Sequence, residues 1–170
     1  MRSTWTIGAF TLTLASGLCA GLARADVIDA AANGFTVKNV VTIAAAPPQV
    51  YRQLTNIGQW WSSEHTFSGD ARKLSLDARA GGCFCERLGD RASVRHLEVV
   101  FAAPGKTLRL SGGLGPLQAM AVTGSMTWQL TPADNGTRVE MTYTVGGYRP
   151  GGLQELAWWS TTCFESECNG

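Results

Sequence analysis

The chain has 170 residues, 16% of them charged, with 14 Lys and Arg against 13 Asp and Glu. That length suits one domain, and a hydrophobic content of 45% excludes a disordered chain. A formal net charge of +1 with no basic run excludes the concentrated basic face of a nucleic-acid binder.

The amino terminus reads as an export signal. Met1 to Thr4 carry one charge, Arg2, and Trp5 to Ala23 carry none. Ala23-Arg24-Ala25 is an A-x-A cleavage signature before Asp26. Residues 1–25 are therefore expected to be a signal peptide. The uncharged run is about long enough to cross a bilayer, but its Gly, Ser and Thr content makes it a weak span. No stable membrane anchor is expected after cleavage. Cys19 follows Leu18, where a lipoprotein signal needs a small residue. Without Arg2 and Arg24 the mature chain holds 12 basic and 13 acidic side chains, a net charge of −1. The expected location is periplasmic or secreted. There, Cys83, Cys85, Cys163 and Cys168 can hold disulfides, with three pairings open. Cys83 and Cys85 lie two apart on one face of an extended strand, a geometry that disfavours a bond between them.

The body is rich in strands. Phe35, Val37, Val41 and Ile43 alternate with polar residues as a half-buried strand. Pro47-Pro48 stop it and open a short helix carrying Val50, Tyr51 and Leu54. Asn56-Ile57-Gly58 break that helix just before Trp60-Trp61. Short strands follow at Leu74 and Leu76, at Cys83 to Leu88, at Leu97, Val99 and Phe101, and at Leu108 and Leu110. Met120 to Leu130 is the clearest segment, with Val122, Gly124, Met126, Trp128 and Leu130 on one face and Thr and Ser on the other. Asp134-Asn135-Gly136 signals a turn. Val139, Met141, Tyr143 and Val145 alternate after it. The expected fold is α+β, with seven antiparallel strands, a short helical pair and an apolar sheet face that needs a cover.

Several stretches resemble a bacterial branch of the START-like, or SRPBCC, superfamily. They are Pro47-Pro48-Gln49-Val50-Tyr51, Trp60-Trp61, His65-Thr66-Phe67-Ser68-Gly69-Asp70 and Ala80-Gly81-Gly82-Cys83-Phe84-Cys85-Glu86. Gly113-Leu114-Gly115-Pro116-Leu117-Gln118 and Gly146-Gly147-Tyr148 complete the set, and the resemblance covers residues 35–157. Its members are commonly labelled polyketide cyclase-like or co-chaperone-like. The resemblance implies a helix-grip fold, in which a long carboxy-terminal helix lies in a curved sheet and helps enclose a hydrophobic cavity. A START-like domain over residues 26–157 follows.

The carboxy terminus departs from that pattern. Residues 158–170 hold two cysteines, Trp158-Trp159 and a Ser/Thr run, without helical period. With GC-rich codons, a frame shifted from the last base of the Ala157 codon reads LVVDDVLRERVQR, which has a helical apolar face. The expectation is an aberrant tail in which a frameshift has replaced or disrupted the long helix.

Chemistry-bearing residues are few. No Gly-x-x-x-x-Gly-Lys or G-x-S-x-G occurs. Cys83, Cys85, His65 and His96 show no paired metal spacing, so neither a metal nor a cofactor is expected. His96 and Glu98 are the one His–carboxylate pair on a strand face and the candidates for acid–base work; a solvated pair is the plainer reading. Trp60, Trp61, Met126, Trp128, Met141 and Tyr143 are the candidate ligand-binding residues, equally readable as plain core. Asn135-Gly136-Thr137 matches a glycosylation sequon but is better explained by the hairpin turn. The expected function is binding of a small hydrophobic molecule, and the alternative is a cyclase or hydratase-like enzyme using the same cavity. A co-chaperone-like role is disfavoured by export. The expected partner is a small hydrophobic molecule and no nucleic acid, and the oligomeric state is left open.

Overall fold

Alternating apolar residues and glycine-bearing turns build one open antiparallel sheet in the computed structural model, which describes residues 24–158 and 160. The strands are β1 (Arg24–Ala31), β2 (Gly34–Ile43), β3 (Leu74–Leu76), β4 (Cys83–Arg87), β5 (Ser93–Ala103), β6 (Thr107–Gly112), β7 (Ala121–Ala133) and β8 (Gly136–Tyr148). Their spatial order is β1-β2-β8-β7-β6-β5-β4-β3. The β3–β8 run is a meander, and β2 closes on its last strand. This is the α+β helix-grip arrangement, with eight strands where the sequence suggests seven. The extra strand is β1, which pairs with β2 through Val27↔Val37 and Ala30↔Phe35. Its own sequence does not alternate, and Ile28 is largely exposed, so partner pairing rather than local pattern makes it a strand. The expected leader lies outside the described residues except for Arg24 and Ala25, which begin β1.

The longest hairpin, β7–β8, sets the core. Met126 stands opposite Tyr143, Trp128 opposite Met141 and Leu130 opposite Val139, all buried on the inner face. Glycine is required at position 136: its φ is +136°, and a Cβ there would collide with the Ile43 carbonyl. Gly124 is required for a different reason, because a Cβ would press into the ring of Tyr143.

Helix α1 (Pro47–Thr55) packs against β7 and β8. Its prolines sit in the first turn, where the missing N–H is not needed, and the Ala46 amide donates to Gln49 Oε1 at 3.3 Å. Val50 and Tyr51 face the core. Short 3₁₀ turns at Ile57–Gln59, Ser63–His65 and Ala71–Lys73 lead to β3. Residues 154–158 are helical, as is Ser160. Leu153, Ala157 and Ser160 form a buried stripe, and the Ser160 hydroxyl donates to the Leu156 carbonyl at 2.9 Å. The rest of the tail, including Cys163 and Cys168, lies outside the described residues.

Strand β5 departs from regular alternation twice. Phe84 pairs with Leu97 and Cys85 with Arg95, which leaves His96 as an extra residue on β5. Val99 pairs with Leu110 and Phe101 with Arg109, which leaves Val100 extra. The first bulge brings His96 and Leu97 both into the interior. The second turns Phe101, expected inside, out to solvent, where it lies 5.8 Å from the Arg109 guanidinium. The expectation that Cys83 and Cys85 stay unbonded is corrected: they are joined by a disulfide, which spans the Phe84/Cys85 register shift of the first bulge. An ideal strand separates alternate Cα atoms by about 6.6 Å. Here the separation is 5.4 Å, within disulfide reach.

Candidate functional site

Two cavities open on the inner side of the sheet, and Trp61 contributes to the wall of both. The larger, about 480 Å³, lies among β2, β7, β8, α1 and the Trp60-Trp61 corner. Four of the expected ligand residues line it: Trp60, Trp61, Trp128 and Met141. Val41, Leu54 and Val139 add aliphatic surface, while Asn39, Gln49 and Gln53 are its polar members. The Trp60 indole N–H donates to the Leu54 carbonyl and that of Trp61 to the His65 carbonyl, each at 3.2 Å. Both polar tips are therefore committed to backbone, and the rings offer the cavity apolar surface.

The smaller cavity, about 190 Å³, lies under the Leu114–Leu117 segment. Trp61, His65, Phe67, Phe84, His96 and Tyr143 supply its rings, and Glu64, Thr66 and Ser160 are further polar members. Trp61 meets Phe84 edge-on at 5.5 Å between centroids. Tyr143, expected as an inward polar group, is fully engaged. Its hydroxyl donates to the Gly112 carbonyl at 2.9 Å and accepts from the Leu114 amide at 3.0 Å. Burial pushes its pKa up to about 12, against the smaller opposing effect of the Leu114 amide. Tyr143 thus pins the segment that roofs the cavity. Met126, the sixth expected ligand residue, lines neither space and is core between Leu110 and Tyr143.

The structure separates the expected His96–Glu98 pair. Glu98 lies on the outer side in an ion pair with Arg95 at 3.0 Å. His96, turned inward by its bulge, meets Glu86 instead, Nε2 to Oε2 at 3.0 Å. Both side chains are almost wholly buried, at 3% and 0% exposure. Glu86 also accepts from the Phe67 amide at 3.1 Å and from the Ser68 amide. Burial pushes the Glu86 carboxyl up, but the hydrogen bonds from Ser68, Phe67 and His96 outweigh it, so its pKa lies below the ordinary value. Burial lowers the His96 pKa, and the Glu86 partner offsets this only in part. The pair is therefore a carboxylate and a neutral imidazole near pH 7. Among the described residues His96 Nδ1 has no hydrogen-bond partner.

Glu86 is the buried ionisable residue of this candidate site that sequence reading passed over. Its signal is visible: it stands two residues after Phe84, on the inward phase of β4. The four residues weighed for zinc do not converge, since Cys83 and Cys85 are bonded to each other and His96 is held by Glu86. Among the described residues, no three metal-ligating side chains cluster and no helix is long and apolar enough to cross a membrane.

A family model described as polyketide cyclase / dehydrase and lipid transport matches residues 34–162. Among solved structures, the chain is similar to a protein of Rhodobacter sphaeroides at 19% identity, covering 86% of this chain and 94% of that one with a TM-score of 0.53. A Rhizobium loti protein is similar at 19% identity over 83% and 96%, TM-score 0.53. CalU16 from Micromonospora echinospora follows at 12% identity over 85% and 81%, TM-score 0.51. At these identities the likenesses speak for the fold. No curated protein matches the chain.

Proposed function

The chain belongs to the polyketide cyclase/dehydrase and lipid transport family, and on that footing we propose that it is an exported binding protein that holds a small hydrophobic molecule in the larger cavity. One observation carries this reading: a space of about 480 Å³ walled by Trp60, Trp61, Trp128 and Met141, in which the N–H groups of Trp60 and Trp61 are already spent on backbone carbonyls. Ligand pockets commonly span roughly 300–1,000 Å³. This one is about three times the ~150 Å³ apolar cavity that admits benzene, a size that suits a fused aromatic ring system or a medium-length acyl chain. Export rests on the amino-terminal charge and hydropathy pattern and on Ala23-Arg24-Ala25.

Titration with N-phenyl-1-naphthylamine, a neutral apolar fluorophore, tests the binding. Saturable one-to-one uptake is expected, at least tenfold weaker in Met141→Arg, which puts a charge in the wall. Absence of saturable uptake, or equal uptake by a folded Met141→Arg protein, overturns the reading. Amino-terminal sequencing of the expressed protein tests export separately: a mature end at Asp26 outside the cytoplasm supports it, and an intact Met1 end inside refutes it.

The buried Glu86–His96 pair favours a second reading, in which a cyclase or hydratase-like enzyme uses acid–base groups in the same region. Turnover in the wild type that disappears in His96→Phe while fluorophore uptake persists is the outcome that would establish it.

A further inference from the structure

We propose that the Cys83–Cys85 pair is a redox site that oxidises dithiols by thiol–disulfide exchange, independently of what the inner cavities hold. Position is the first ground. Phe84 and Glu86 turn inward on β4 and are buried, so Cys83 and Cys85 stand on the opposite, outer face of the sheet. Both are half-buried there and contribute to the wall of neither inner cavity. The second ground is that the bond does little for the fold. Its cysteines are only two positions apart, and the stabilisation from a cross-link grows with the ring it closes. The coupling is reciprocal: a fold that gains little from a bond holds that bond little in return. Exposed disulfides are the more oxidising and more labile class. When this one opens, β3 and β5 still pair with β4 on either side and keep the two thiols ready to reclose.

The third ground is charge. Across the ladder Cys85 faces Arg95 and Cys83 faces Glu98, and such partners share a face with Cβ atoms about 5 Å apart. The bulge sets this register: without the extra residue, position 96 would stand opposite Cys85. Arg95 and Glu98 meet each other at 3.0 Å on that face. Asp77, whose amide donates to the Cys83 carbonyl at 3.0 Å, is ion-paired with Arg79. A cation beside Cys85 stabilises a thiolate there, and a carboxylate beside Cys83 opposes one. The mixed disulfide therefore rests on Cys83. One thiolate of the dithiol forms an S–S bond with Cys83 Sγ, and the Cys83–Cys85 bond breaks with its electron pair on Cys85. The second substrate thiol gives its proton to water and attacks the substrate sulfur of the mixed disulfide, and Cys83 leaves as a thiolate. Both cysteines then take up protons. In net, two electrons and two protons pass from the dithiol, which becomes a disulfide, to Cys83 and Cys85, which become thiols.

The test uses the oxidised full chain without denaturant. It is equilibrated with about 10 mM reduced and about 0.1 mM oxidised glutathione and quenched with iodoacetamide. Peptide mapping by mass spectrometry then reads Cys83 and Cys85 apart from the other cysteines. The pair is expected to be about tenfold or more in favour of the dithiol, where a structural disulfide stays bonded, and the trapped glutathione adduct should sit on Cys83. Oxidised protein is next offered to dithiothreitol and to reduced, unfolded ribonuclease A. Oxidation of the first identifies a small dithiol as substrate, oxidation of the second a polypeptide dithiol, and either supports the site. Cys83→Ser/Cys85→Ser, which keeps the remaining cysteines, should lose that oxidation. Arg95→Gln should slow attack by dithiothreitol and Glu98→Gln should quicken it, each about threefold, the scale of one exposed charge pair. The proposal is overturned if the pair stays bonded in the glutathione buffer or neither dithiol is oxidised. Oxidation that persists in the folded double-serine protein, an adduct resting on Cys85, or two charge variants that shift the rate in the same direction would overturn it equally.

Discussion

The amide of Phe67 donates to Glu86 Oε2 at 3.1 Å, so a carboxylate inside β4 holds a loop that lies 19 residues earlier in the chain. The same oxygen meets His96, which makes the tether sensitive to protonation. Both groups have pKa values below their ordinary ones. The unfolded chain therefore takes up protons first as pH falls, and stability is lost toward acid. The His96 contribution is complete above its ordinary value of 6.5 and fades as pH falls through its lower folded value. The Glu86 contribution fades in the same way below 4.5. Urea midpoints of wild type should fall from about pH 7 to about pH 5 more steeply than those of His96→Phe. Parallel profiles would remove the pair from the acid response.

Tyr143→Phe deletes the donor to Gly112 and the acceptor for Leu114. The expected cost is about 1–3 kcal/mol, because two buried backbone groups lose their partner. Hydrogen exchange at the Leu114 amide should rise more than at the Met126 amide. The raised pKa gives an alkaline signature as well. Stability from this group is complete below the ordinary tyrosine value of 10.0 and is lost as pH rises through about 12. An alkaline melt should show that loss in wild type and lack it in Tyr143→Phe.

The Cys83–Cys85 disulfide closes a very short ring. Loop-closure entropy for so few residues is worth only about 1.5 kcal/mol. Cys83→Ser/Cys85→Ser should therefore lower stability by about that amount and keep the fold. Alkylation followed by mass spectrometry on protein recovered from an oxidising compartment should find both thiols protected. A loss of 4 kcal/mol or more would mean that the bridge does more than close its own ring.

The buried stripe Leu153, Ala157, Ser160 sets the phase of the carboxy-terminal helical turn. In the shifted frame LVVDDVLRERVQR, that phase continues with Ser160→Val, Phe164→Leu and Cys168→Val, all apolar. Replacing residues 158–170 by that sequence should raise stability by about 3 kcal/mol or more, since each buried aliphatic side chain is worth about 1.5–3. Urea denaturation of the two proteins checks it. No gain, together with a gene sequence in which no shifted frame encodes a helix, would mark the tail as genuine.

Much of the sheet is legible in the sequence because the long strands keep period two over many residues. Met126, Trp128 and Leu130, and Met141, Tyr143 and Val145, read directly as an inner face. Strand β1 is not legible, because its alternation is poor and its pairing with β2 supplies the order. The larger cavity is partly legible, since Trp60, Trp61, Trp128 and Met141 all reach it. The Glu86–His96 pair is legible by half. Glu86 follows Phe84 on the inward phase, whereas His96 stands on the outward phase of Leu97 and Val99 until an extra residue is allowed. Parity arguments fail wherever a strand carries a bulge, and β5 carries two.

That extra residue has a genetic meaning. Replacing His96 removes a base but leaves the bulge, whereas deleting it would let Arg95 and Leu97 run on as a regular ladder against Cys85 and Phe84. A sheet without a buried imidazole–carboxylate pair and one that has it then differ by a single inserted codon. Histidine enters this interior as an addition to the strand, without displacing any residue of the apolar core.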